Sequence, residues 1–98
     1  MIIITGSVVS KAQHLQALLA LSLEHVARSR TEPGCLAHAV HQDVENPLRL
    51  VFVEQWSDAA AVAAHFALPA SREFVKAASA LAAERPTIHA YAATATSV

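Results

Sequence analysis

The chain has 98 residues, 54% hydrophobic and only 15% charged, with a formal net charge of −1. That length fits one domain, residues 1–98, whose own core is too small to hide so much apolar surface, so a second copy of the chain is expected to cover one face. The balanced charge excludes the basic stripe of a nucleic-acid binder, the single cysteine (Cys35) excludes an intrachain disulfide, and no 18-residue apolar run free of charge or histidine marks a membrane span.

The segment MIIITGSVVS lacks a basic leader and is rich in Ile and Val. It predicts a strand over 2–9 rather than a signal peptide, with a bulge or close approach at Gly6, and the expected location is cytoplasmic. Ser10 is the expected N-cap of a helix over about 11–30. Its apolar stripe is read as Leu15, Leu19, Leu23 and Val26, with Leu18 and Ser22 at the borders and His14 and His25 on one flank.

Pro33-Gly34 ends that helix. Residues 35–42 and 48–56 read as two strands joined by the turn Val44-Glu45-Asn46-Pro47, hence an antiparallel hairpin. In the second of these strands Leu50, Phe52, Glu54 and Trp56 share one face by period two, and Val51, Val53 and Gln55 share the other. Both faces are largely apolar, which predicts cover on both sides. Ser57-Asp58 caps a short helix to about 67, with Ala59, Val62, Ala63 and Phe66 as its stripe. Pro69 breaks the helix. Ser71 is read as the cap of a further helix to about Glu84, burying Ala70, Phe74, Ala77, Ala78 and Leu81. Pro86 ends it, and 87–94 form a last strand. The order β-α-β-β-α-β is a ferredoxin-like α+β pattern with the second helix broken in two. Helices cover one face of such a sheet, and the other is expected to meet a partner's sheet in a dimeric barrel.

A carboxylate two residues from the only tryptophan has two readings. Trp56 fills the core while Glu54 accepts local hydrogen bonds, or the pair forms a polar anchor and an aromatic wall in a pocket. His65 lies about 100° from the centre of its helix stripe, at the edge of a cleft or at the surface. His38 and His41 face opposite sides of a strand, and His14 and His25 are three turns apart, so neither pair has the spacing to share an ion. His89 and Tyr91 share a face of the last strand. Cys35 has no neighbouring base in sequence and reads as a packed thiol. With two glycines there is no phosphate loop and no dinucleotide fingerprint.

The pieces Glu32-Pro33-Gly34-Cys35, Asn46-Pro47, Glu54-x-Trp56 and Ala61-x-x-x-His65 resemble, in order and spacing, the antibiotic biosynthesis monooxygenase domain family over residues 2–93. The resemblance implies a dimeric ferredoxin-like fold and several activities. Some members oxidise anthrones or quinols with O2 and neither metal nor flavin, some degrade haem, and some isomerise phosphorylated sugars. The haem-degrading pattern departs from this chain, which lacks its asparagine in the first strand and its axial histidine. An isomerase needs a phosphate clamp, for which Arg49, Arg72 and Lys76 are the candidates, and a plain small-molecule binder needs no reactive residue. The cofactor-free oxygenase reading implies a small aromatic substrate in a slot walled by Phe52, Trp56, Phe66 and Phe74. His65 then takes the proton, Glu54 orients it or anchors the pocket, Tyr91 is the one phenolic donor, and Asn46 is a lesser candidate for substrate contact.

Overall fold

A computed structural model describes residues 1–98. Strand β1 (Ile2–Val9) leads through a short 3₁₀ turn (Ala12–His14) into helix α1 (Leu15–Ser29). The hairpin β2 (Cys35–Gln42) and β3 (Arg49–Trp56) follows, then α2 (Ala59–Ala67), α3 (Pro69–Leu81) and β4 (Thr87–Ala92). The four strands form one antiparallel sheet in the order β2-β3-β1-β4. This is the ferredoxin-like α+β arrangement with its second helix in two pieces.

All three helices lie on one side of the sheet. Register brings Ile4 opposite Glu54 and Glu54 opposite His38, while Gly6 and Val40 flank Phe52. These residues therefore face the helices, and β3 is buried at Leu50, Phe52, Glu54 and Trp56. The core joins Val8, Leu50 and Phe52 of the sheet to Leu18, Val26 and Ala78 of the helices. Complete burial of a leucine such as Leu18 or Leu50 contributes roughly 1.5–3 kcal/mol. The opposite face carries no element of the same chain and presents Val53 at 37% and Tyr91 at 54% exposure. No helix is long and apolar enough to cross a membrane.

Several local expectations are corrected. Helix α1 buries Leu18, Ser22, His25, Val26 and Ser29, and leaves Leu23 exposed. The buried face is rotated about 60° from the stripe of leucines. Serines let the helix sit close to the sheet, and the Ser29 hydroxyl is satisfied by donating 2.7 Å to the carbonyl of His25. Ser10 caps nothing, because its hydroxyl donates to the Lys11 carbonyl and its backbone N–H to Leu48, tying the end of β1 to the hairpin. Ser71 lies inside α3, which starts at Pro69, where a missing N–H costs nothing. Asp58 does cap α2, accepting 2.8 Å from the Ala61 N–H. At Gly6 the pairing runs without a bulge.

Candidate active site

Between the helices and the sheet lies a cavity of about 280 Å³. Phe52, Phe66, Phe74, Val75, Ala78 and Ile88 form apolar walls, and His25, His65 and Glu54 supply the polar groups inside it. Gly6 also lines it, so the strand at that point contributes backbone only and leaves the space open.

The β3 alternation that buries Trp56 also turns Glu54 inward, where it is 5% exposed. The Trp56 Nε1–H donates to Glu54 Oε1 at 2.9 Å. His38 Nε2 lies 3.2 Å from the same oxygen, within ion-pair distance but misaligned for a hydrogen bond. Burial raises the Glu54 carboxyl, but its contacts with His38 and Trp56 and the nearby His65 ring outweigh that and hold it below the usual carboxylate range.

His65 is 1% exposed at the last turn of α2. Its Nδ1 lies 2.8 Å from Glu32 Oε1. A carboxylate here accepts, so Nδ1 carries the hydrogen and Nε2 is the nitrogen available to another group. The turn Glu32-Pro33-Gly34 makes this contact. Gly34 adopts φ +83, a conformation that favours glycine, and a Cβ there would meet Ala61 Cβ at 2.6 Å and Ser57 Oγ at 2.7 Å. The loop thus packs directly on the first turn of α2, and the Gly34 carbonyl accepts from the Ser57 N–H at 2.8 Å.

His25 reaches the same place from α1. Its ring stacks on Phe74 with centroids 4.0 Å apart and planes within 5°. An Arg28 N–H donates to His25 Nδ1 at 3.2 Å, since a guanidinium has no acceptor. Burial first, and then the neighbouring His38, His65 and Arg28, push the His25 pKa down to about 3, so its imidazole is neutral. His25, His38 and His65 pack with ring centroids 5.3–5.7 Å apart. One nitrogen from each falls within 4.8 Å of the others.

Of the residues singled out from the sequence, Glu54, His65, Phe52, Phe66 and Phe74 line the cavity. Trp56 lies beneath it, fully buried, with its ring 4.6 Å from that of His65. Asn46 is elsewhere. It is exposed in the hairpin turn, where its side-chain oxygen accepts from the Leu48 N–H at 3.2 Å, the ordinary work of an asparagine in a turn. Tyr91 lies on the open face of the sheet. The candidates for a phosphate clamp do not converge. Arg49 donates to Ser7 and pairs with Asp43, whereas Arg72 and Lys76 border a separate hollow on α3. Sequence spacing missed His25, His38 and Glu32 as one site, because they come from α1, β2 and the loop between them. The signals were present, namely a histidine on the serine-bearing face of α1 and an inward position in β2. His65 also proves central rather than marginal on its helix.

Comparisons with known proteins show the family and the fold. The family model for antibiotic biosynthesis monooxygenase matches residues 1–77. An uncharacterised protein of Synechocystis sp., sll1783, is 32% identical over 75 residues, 76% of this chain, and the chain spans about half (51%) of that relative's length. A crystal structure of an antibiotic biosynthesis monooxygenase superposes with a TM-score of 0.89 at 28% identity, covering 97% of this chain and all of the other. A Deinococcus radiodurans protein named as a candidate for the same class gives 0.94 at 28% identity, over 100% and 97% of the two chains. The chain belongs to the antibiotic biosynthesis monooxygenase family.

Proposed function

We propose that the protein is a cofactor-independent monooxygenase that oxidises a small aromatic hydroxy compound, such as an anthrone or quinol, with O2. The observation that carries this reading is the His65–Glu32 pair at the edge of an apolar cavity. A base held in one tautomer by a carboxylate, with its other nitrogen available, is the arrangement that proton abstraction needs. The cavity suits a flat ring, since Phe74, itself stacked on His25, and Phe52 and Phe66 offer aromatic faces.

In this reading His65 Nε2 takes a proton from the substrate's acidic C–H or O–H. The resulting carbanion or phenolate, desolvated by the phenylalanines, gives an electron to O2. For an anthrone the two radicals combine to form a C–O bond, and the peroxide takes the proton back from His65. Loss of water then breaks the O–O bond and leaves a carbonyl. Overall, a CH2 group and O2 become C=O and H2O. Glu54 stays ionised beside Trp56 and His38 and balances positive charge that develops on the histidines. The same reading pairs the open sheet face with a second copy of the chain in a cytoplasmic dimer. Support comes from the uncovered Val53 and Tyr91 and from the apolar composition.

The test is oxygen uptake by purified protein across a panel of anthrones and quinols, without added metal or flavin. Uptake that falls at least tenfold in a folded His65→Ala variant supports the reading. Absence of uptake across the panel sinks it in favour of a ligand-binding or isomerase role.

A further inference from the structure

We propose that His25, His38 and His65 form a binding site for one first-row divalent metal ion of the zinc class. The three side chains are 5%, 2% and 1% exposed and come from three different elements. Each offers a nitrogen, and these lie within 4.8 Å of one another. His38 is the observation that hydrogen bonding leaves unexplained. Its Nε2 faces only the misaligned Glu54 oxygen at 3.2 Å, and its Nδ1, fully buried, has no partner at all, whereas nearly all buried polar atoms in folded proteins have one. An ion among the three rings supplies that partner.

The surroundings match a histidine metal site. Glu32 fixes the proton of His65 on Nδ1, which turns Nε2 into a ligand, the carboxylate–histidine pattern seen behind bound zinc. Glu54 lies 3.2 Å from His38 Nε2 and serves the same purpose if Nδ1 takes the ion. These two carboxylates offset the added charge. Arg28, which donates to His25, has the Ala70 carbonyl at 3.4 Å and Glu24 at 3.6 Å as alternative partners. Nitrogens around a tetrahedral zinc, with bonds of about 2.0–2.1 Å, are roughly 3.3 Å apart. The nitrogens must therefore draw together by up to about 1.5 Å when an ion binds. The cavity beside His25 and His65 leaves room for a fourth ligand. Ligation uses the His65 lone pair that the proposed oxidation needs, so the loaded form is inactive in that reaction. The binding itself is independent of the oxygenase reading and is measured without substrate.

The experiment uses chelator-treated full-length protein titrated with Zn²⁺, followed by calorimetry and by imidazole ¹⁵N resonances. The expected result is one ion per chain, with resonances of His25, His38 and His65 shifting together. His38→Gln should weaken binding at least about a hundredfold, and Glu32→Gln by about ten- to a hundredfold. Shifts confined to His14, His41 and His89 overturn the proposal, and that reading needs only the wild-type protein. So does a His38→Gln variant, native by circular dichroism, that binds zinc as the wild type does.

Discussion

The imidazole of His65 and the carboxylate of Glu32, 33 residues earlier in the chain, meet at 2.8 Å. The contact joins the E-P-G turn to α2 and sets the tautomer of the histidine at the cavity. Glu32 is a positioning residue in the proposed reaction. Replacing it with glutamine keeps an acceptor but removes the charge that stabilises an imidazolium. We expect kcat to fall about tenfold with KM nearly unchanged, and Glu32→Asp to recover part of the loss. Equal loss in both variants, or an effect confined to KM, contradicts this role.

Gly34 holds that turn against α2. An added methyl meets both a left-handed backbone and two side chains at 2.6–2.7 Å. Gly34→Ala should destabilise the protein by roughly 2 kcal/mol or more, a drop of about 10 °C in Tm for a domain of this size. Thermal unfolding followed by circular dichroism measures it, and an unchanged Tm would mean that the loop relaxes away.

At Gly6 the expectation is reversed, because the backbone there is ordinary strand and a Cβ would stand 3.6 Å or more from its neighbours. Gly6→Leu should fold, yet fill the cavity. Affinity for aromatic ligands should fall by about tenfold or more, and a ligand titration showing no loss would remove the cavity from consideration as the binding site.

Trp56 and Glu54 form a coupled pair. Trp56→Phe deletes the N–H that donates to a buried carboxylate, at a cost of roughly 1.5–3 kcal/mol. In a Glu54→Gln background the same change should cost about 1 kcal/mol less, since the charge is already gone. Additive effects in urea unfolding would show that Trp56 acts by packing alone.

Cys35 provides a test by pH. Burial, and then the negative charges of Glu32 and Glu54, raise its thiol pKa above the ordinary value. The folded chain therefore keeps this proton to higher pH than the unfolded chain, and stability falls as pH rises past the unfolded thiol's value. Alkylation by iodoacetamide should reach half its maximal rate at higher pH in the native protein than in urea, and Glu32→Gln should lower the native midpoint. A native midpoint at or below the denatured one contradicts the account.

Much of the architecture was legible in the chain. Period two in Leu50-x-Phe52-x-Glu54-x-Trp56 placed four side chains on one face, and Asp58, Pro69 and Pro86 marked the breaks between later elements. In helix α1 the leucine count favours one stripe, whereas tertiary packing selects the face with Ser22, His25 and Ser29. Local spacing also compares histidines only within one element, so it separated His38 from His41 and His14 from His25 without seeing the group that forms across three elements.

The sequence by itself determined which segments are strands and helices, their order, and that Glu54 and Trp56 share a face, because these follow from backbone periodicity and turn chemistry. Only the tertiary structure decided that this face looks toward the helices, that His25, His38 and His65 meet there, and that Glu32 reaches back to His65. Such contacts depend on strand register and on how each helix is rotated against the sheet, and both are set by packing between segments far apart in the chain.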